Sequence, residues 1–300
     1  MEAKLLTVFT PTYNRAHTLP RLYESLCAQT CKDFEWLVVD DGSTDNTGDL
    51  IGRYIEEERL CIHYIYKENG GLYTGYNTAY ARIATPLNVC IDSDDFMPAN
   101  AVELIVEKWN AEGTDSVAGI IGLDFYADTW KPIGGRFPNA LKQCYLLDLY
   151  TRKIHRGDSK QVMRTDLMRS VAPQVGFPGE KNFNPIYMLL QVCDNYPLLV
   201  LNENLCWVDY QQSDSMSSAI YKQYADSPRS FAKLRLLEMG LKRNRTLHRY
   251  RSAVHFVASC CFAKDFKGLT ETPYKVLVAM ALLPGLLWYW YIVLKLRWAK

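Results

Sequence analysis

The 300 residues, 48% apolar and 22% charged, exclude a disordered chain, a collagen and a coiled coil, and leave room for one large domain or two small ones. With 34 basic residues against 33 acidic ones, the formal net charge of +1 argues against nucleic acid as the main partner. The balance hides an asymmetry: residues 229–300 carry 14 Lys and Arg against only Glu238, Asp265 and Glu271, so this tail is +11 and residues 1–228 are −10.

In chain order, Leu5–Thr10 is a short apolar run, Leu19, Leu22 and Leu26 recur at helical spacing, and Glu35–Asp40 is strand-like again. There follow a polar helix over Asp45–Glu57, a strand over Cys61–Tyr66, a helix over Thr74–Ile83 and a strand over Leu87–Ile91. Pro98 opens a helix through Trp109, and Val117–Leu123 reads as a further strand. The alternation predicts an α/β domain with a mostly parallel sheet covered on both faces, whose ligands bind beyond the carboxyl ends of the strands. Past residue 126 the periodicity weakens and Gly, Pro, Asn and aromatic residues accumulate, as in a loop-rich second half that holds a ligand. Helical patterning with basic faces returns over 227–262.

The nine cysteines are scattered, odd in number and without a C-x-x-C pair, which predicts free thiols in a reducing compartment. A strand-like run already under way at Leu5 leads us to expect no secretory leader. The histidines at 17, 63, 155, 248 and 255 show no metal-ligand spacing, so zinc is not expected.

The polar residues just after each strand are the ones to read for chemistry. Asp92-Ser93-Asp94-Asp95 places three carboxylates at one strand mouth. Like charges this close repel, so something cationic must hold them together, and a divalent Mg²⁺ or Mn²⁺ shared with a substrate's phosphates suits the site. A cap for the helix after Pro98 explains one aspartate but not three. In Asp40-Asp41-Gly42-Ser43-Thr44, Ser43 or Thr44 serves as a cap and one aspartate is left to accept from a ligand, such as a nucleobase imide. Lys67-Glu68-Asn69-Gly70-Gly71 offers glycine backbone for close approach, yet is neither a Walker loop nor G-x-G-x-x-G.

In this order and spacing, TPTYNR (10–15), VVDDGSTDNT (38–47), ENGGLYTGYN (68–77) and IDSDD (91–95) resemble the family 2 glycosyltransferases of GT-A fold that build bacterial surface polysaccharides. The resemblance implies a Rossmann-like catalytic domain over 1–226, with a nucleotide-sugar half (1–110) and an acceptor half (111–226). It implies that Pro11, Tyr13, Asp41, Gly71, Asn77 and Asp94 bind the nucleotide-sugar, with Asp41 on the base. It assigns Mn²⁺ or Mg²⁺ to Asp92, Asp94 and Asp95, through either Asp95 or the Asp92/Asp94 pair. Phe177-Pro178-Gly179-Glu180-Lys181 resembles the element that supplies the catalytic base, which puts Glu180 in that role and keeps Asp194 in reserve. The chain departs from some relatives at Leu72, where they carry a lysine.

The implied reaction is an inverting transfer of one sugar from a nucleotide-diphospho-sugar, a UDP-sugar first, because the Q-x-x-R-W signature of processive polymerases is absent. Two alternatives stand beside it. A sugar nucleotidyltransferase needs a Gly-rich activating loop that residues 10–20 lack. A catalytically inactive scaffold or glycan-binding protein of the same pathway would fit the departures at Leu72 and Lys181.

Residues 227–300 read as a basic helical region with an apolar anchor over 276–294, 19 residues without a charge. Pro284-Gly285 divides this run and Lys295, Arg297 and Lys300 follow it, which favours an interfacial or re-entrant hairpin over a single span or a buried core helix. The basic stretch Arg229–Lys275 then faces anionic lipid on the cytoplasmic face of the inner membrane, and the acceptor is a polyprenyl-diphosphate-linked glycan.

Overall fold

The computed structural model describes residues 4–209 and 220–298. Strand β1 (Leu6–Thr12) is buried at every position and β2 (Phe34–Asp40) at all but one. Their side chains alternate between two cores: Leu6, Val8, Trp36 and Val38 enter one, and Phe9, Leu37 and Val39 the other. That period-two split is what a strand covered on both faces requires. The first core is closed by α1 (Leu19–Cys27), α2 (Thr47–Glu56) and α4 (Ala101–Glu112). In α1 the buried Leu19, Leu22, Tyr23 and Leu26 form one apolar stripe. The second core is closed by α3 (Leu72–Arg82), α5 (Leu146–Thr151), α6 (Thr165–Val171) and α7 (Ile186–Cys193).

The remaining strands are β3 (Ile62–Tyr66), β4 (Leu87–Cys90), β5 (Gly119–Tyr126), β6 (Gln143–Cys144), β7 (Ser159–Arg164) and β8 (Leu198–Val208), in the sheet order β3-β2-β1-β4-β7-β5-β8-β6. The first four run parallel, β7 lies antiparallel between β4 and β5, β8 is parallel to β5, and β6 is an antiparallel edge. This is the mostly parallel α/β sheet that the alternation predicts. Because β1 sits between β2 and β4, successive connections leave it in opposite directions, and a crevice opens at the carboxyl ends of β1 and β4. The loop-rich reading of the second half misses three strands. β7 escapes it because Lys160 and Gln161, in the middle of the strand, line the cavity and interrupt any apolar run.

The chain ends in α8 (Ile220–Asp226), α9 (Pro228–Gly240), α10 (Thr246–Ala263), α11 (Phe266–Glu271) and α12 (Lys275–Trp298). These helices have a small core of their own around Met239, Phe256, Val257 and Val278, while α9 also sends Leu234 into the core beneath the sheet. The hairpin expected at Pro284-Gly285 is corrected: α12 runs unbroken through Pro284. A proline removes the amide that would bond the carbonyl four residues back, here Met280. The Tyr250 hydroxyl donates to that carbonyl at 3.4 Å. Gly285 meanwhile lies so close to α10 that an added Cβ would stand 2.5 Å from the Cβ of Val257. The break read from the sequence is instead a helix-packing contact. Val278, Ala281 and Gly285 face α10, Ile292 packs with Tyr224 and Phe231, and a second stripe of Val276, Met280, Leu283, Leu287, Trp290 and Leu294 is exposed. By length and composition α12 is apolar enough to cross a membrane.

Candidate active site

A cavity of about 770 Å³ fills the crevice, and Pro11, Tyr13, Asp41, Gly71 and the whole run Asp92–Asp95 line it. Four separate strand-end segments therefore converge, as their positions after β1, β2, β3 and β4 dictate. Tyr13 stands 48% exposed at the rim, open to stack on a planar ligand.

Asp41 is spent differently from its expected role. Its Oδ1 accepts from Lys67 Nζ and from the Gly70 amide at 3.0 Å, and its Oδ2 accepts from the Gly71 amide at 2.8 Å. Asp41 thus shapes the glycine loop, and a base contact would have to share it with that loop. Gly71 has φ +93 and packs on the loop that follows α6, where an added Cβ would stand 2.2 Å from the Lys181 carbonyl oxygen. Only glycine meets both conditions. Lys181 itself lines the cavity and donates to Asn69 Oδ1 at 2.6 Å.

The carboxylates after β4 form two layers. Asp92 is exposed to the cavity and Asp94 half-buried, whereas Asp95 is 6% exposed. Below them Lys160 Nζ lies 3.8 Å from Asp95 and 3.9 Å from Asp124, a residue of β5 that is 3% exposed. Part of the cation that the cluster demands is therefore this lysine. Burial raises the Asp95 carboxyl to about 8 and Asp124 to about 6, with Lys160 pulling both back down. Lys160 is held charged against its own burial, chiefly by Asp124. Arg21 fastens the turn from outside, donating to the Asp94 carbonyl and pairing with Asp209 at 3.0 Å, with its guanidinium 4.6 Å from the Phe96 ring. Asp92 makes no ion pair among the described residues. The hard oxygen donors of Asp92 and Asp94 at the cavity wall fit Mg²⁺ or Mn²⁺, and Asp95, committed to Lys160, lies beneath them.

Three expected site residues lie outside the lining of this cavity. Asn77 does not line the cavity: its side chain donates to the Gln174 carbonyl at 2.9 Å and accepts from the Gln174 amide at 2.8 Å, which clamps α3 to the loop after α6. Glu180 is buried, outside the cavity wall, and its two oxygens accept from the amides of Arg229 (3.0 Å) and Ser230 (2.8 Å) in the first turn of α9. A carboxylate at a helix N-terminus satisfies amides that have no partner within the helix. Asp194 accepts from the Lys242 and Arg243 amides at 3.0 and 3.2 Å, in the turn before α10. Both candidate bases therefore tie the C-terminal helices to the catalytic body.

Sequence reasoning missed Asp124, Lys160 and Asp158, all lining the cavity. Asp124 directly follows the strand read at Val117–Leu123 and falls under the rule already applied to the earlier strands. Lys160 and Asp158 carry no such signal. On the exposed outer edge of the sheet, outside the cavity wall, Glu35, Cys61 and His63 bring ligand atoms within 4.8 Å of one another, a grouping that the histidine spacing did not reveal.

A model described as glycosyl transferase family 2 matches residues 7–170. Glycosyltransferase GlyA of Streptococcus pneumoniae is 34% identical over 103 residues, 34% of this chain and 15% of that protein. The chain spans well under half the length of the curated relatives it matches. Among solved structures, S. aureus TarS 1–349 in complex with UDP-GlcNAc superposes with a TM-score of 0.59 at 18% identity, covering 93% of this chain and 79% of that one. The mannosyltransferase PcManGT of Pyrobaculum calidifontis, in complex with GDP-Man and Mn²⁺, gives 0.54 at 18% identity, covering 95% and 87%. At these identities the structural likeness shows the GT-A fold.

Proposed function

The chain belongs to glycosyl transferase family 2, and from that premise we propose that it moves one sugar, with inversion, from a nucleotide-diphospho-sugar to a lipid-linked glycan at the cytoplasmic face of a membrane. The observation that carries this reading is the single cavity at the crevice, with Asp92 and Asp94 on one wall and a separate carboxylate, Asp158, on the β7 side. The nucleotide occupies the end formed by Pro11, Tyr13 and the Asp41-held glycine loop, and UDP is the first candidate. TarS with UDP-GlcNAc and PcManGT with GDP-Man and Mn²⁺ support a donor of this class.

Asp92 and Asp94 would hold Mn²⁺ or Mg²⁺ against the donor's diphosphate. The bound ion would supply positive charge for the leaving group. Lys181, exposed at the same wall, adds a second cation near the glycine loop. Asp158 accepts the proton of the acceptor hydroxyl as its oxygen bonds to the anomeric carbon and the bond to the diphosphate breaks. Attack from the face opposite the leaving group inverts that carbon. Asp158 lines the cavity and is exposed there, whereas Glu180 and Asp194 lie outside its lining, which is why the base role moves to it.

The outward stripe on α12 supports attachment to a membrane. The buried stripe keeps α12 lying along α10, so the exposed side chains suit insertion into one leaflet, as in a monotopic anchor, with Lys295 and Arg297 at headgroup level. The test is release of nucleotide diphosphate from a panel of UDP- and GDP-sugars, with and without Mn²⁺, in detergent with added membrane extract. Metal-dependent release that disappears in Asp94→Ala supports the proposal and names the donor. No release, together with no binding of any UDP- or GDP-sugar, overturns it.

A further inference from the structure

The C-terminal helices enclose a second cavity, of about 380 Å³, that shares no lining residue with the first. Tyr221 and Tyr224 of α8, Arg235 of α9, His248, Arg251 and His255 of α10, and Trp288 of α12 line it. Its chemistry is one-sided. Arg235 binds both oxygens of Glu238 through Nη1, at 2.7 and 2.8 Å, and donates from Nη2 to the Tyr224 hydroxyl at 3.1 Å. Glu238 is also taken by the Ser252 hydroxyl at 2.7 Å. Glu238 is therefore taken up by these donors, and among the described residues no Asp or Glu lines the cavity. What remains are donors: Arg235 Nε and the Trp288 indole Nε1 are both buried with no acceptor among the described residues. Arg251 is exposed and makes no hydrogen bond or ion pair among them. A buried N–H without an acceptor is unfavourable until an acceptor arrives.

Two guanidiniums, one of them uncommitted, together with an indole N–H and aromatic walls, match an anion with several acceptor oxygens and an organic substituent. Burial and the nearby Arg235 and Arg251 lower His255, and burial lowers His248, which agrees with a positive potential inside the cavity. The place selects among phosphates. Trp288 belongs to α12, whose other face is the exposed stripe of Leu283, Leu287 and Trp290. Tyr291, 41% exposed, stacks on Trp288 with ring centroids 5.2 Å apart. A phosphate held here would sit beside acyl chains lying against that stripe.

We propose that this cavity binds the phosphate of an anionic lipid headgroup, held by Arg251, Arg235 and the Trp288 N–H. The inference uses the membrane attachment proposed above but none of the sugar chemistry, and its assay contains no donor sugar.

The test is co-flotation of the whole chain with phosphatidylcholine vesicles, with and without 20 mol% phosphatidic acid as the probe. Arg251→Gln is expected to lower the phosphatidic-acid-dependent binding by about tenfold or more, the loss of a charge-assisted contact. Lys267→Gln removes the same charge from an exposed position on α11 and should cost no more than about fivefold, the effect of one basic residue near an anionic surface. Trp288→Phe, which changes no charge, should also reduce the increment over phosphatidylcholine alone. In metal-free buffer, inorganic pyrophosphate should raise the melting temperature of the wild-type chain and not of Arg251→Gln. Equal losses in Arg251→Gln and Lys267→Gln, with Trp288→Phe unchanged, would mean diffuse charge attraction and overturn the proposal. Pyrophosphate protection that needs Arg251, with no pocket-dependent binding to vesicles, would overturn the lipid assignment in favour of a soluble phosphate compound.

Discussion

Asp92 and Asp94 at the strand ends, and Glu180 and Asp194 farther along the chain, are short acidic motifs beside small or polar residues, yet their oxygens meet different surroundings. The first pair lies on the wall of a 770 Å³ cavity above a layer already neutralised by Lys160. The second pair accepts from main-chain amides of the C-terminal region, Glu180 from the first turn of α9 and Asp194 from the turn before α10. A carboxylate that faces a ligand and one that caps a helix satisfy the same demand for donors. A motif records that demand without saying who supplies them. In this chain one pair lines the cavity, while the other joins two parts of the molecule.

The largest effect should come from the cavity pair. Asp92→Asn and Asp94→Asn should each lower nucleotide diphosphate release by about 10²–10³-fold, the loss of one stabilising group at the leaving phosphate. Melting should change little, since Asp92 is exposed and Asp94 half-buried. Full activity in both variants would remove the strand-end cluster from the mechanism.

The next experiment sets the two classes of acid against each other. Asp158→Asn should lower kcat by about 10²–10⁴-fold, the usual contribution of a general base. Glu180→Gln should do the reverse, keeping kcat within a few-fold while removing about 1–2 kcal/mol of stability through its weaker hold on the α9 amides. Chemical denaturation and initial rates on the same preparations decide it. Inactive but fully stable Glu180→Gln would restore Glu180 as the base.

The N-terminal part of the sheet was legible because its elements are covered on both faces, so runs such as Val38-Val39 and Val89-Cys90-Ile91 stand out, and the rule that ligands gather at strand ends points to Asp41 and Asp92–Asp95. Past Tyr126 the strands lose that signature. β7 reads Ser-Lys-Gln-Val-Met-Arg because it lines the cavity. Lys160 was invisible as a residue, although the repulsion among the aspartates announced that some cation must be near. The role of Glu180 was illegible for a different reason: its partners, the amides of Arg229 and Ser230, lie 49 and 50 residues away. Pro284 misled because a proline marks a lost hydrogen bond in the sequence, while Tyr250, from another helix, supplies the missing donor.

A smaller effect sharpens the comparison through pH, because each region buries a titratable group with a displaced pKa, in opposite directions. In the helical region His255 is lowered to about 3 by burial, with Arg235 and Arg251 adding to it. Around it, Tyr224 bonds its Nδ1 at 2.9 Å, Glu238 is saturated by Arg235 and Ser252, and His248 is lowered as well. The unfolded chain takes up the His255 proton near 6.5 and the folded one only near 3. This contribution is therefore complete above pH 6.5 and is lost as pH falls, by at most about 1.4 kcal/mol per unit. Beneath the cavity Asp124 is raised from 3.8 to about 6 by burial. Its contribution is complete below 3.8 and is lost as pH rises toward 6. Between pH 4 and 6 the His255 contribution rises with pH while that of Asp124 falls, as does that of Asp95, which burial raises to about 8, so the wild-type profile of melting temperature against pH is the sum of opposed slopes. His255→Gln should tilt it toward lower stability at pH 6 than at pH 4, relative to wild type, and Asp124→Asn should tilt it the other way. Parallel profiles for all three proteins would show that neither group is buried as described.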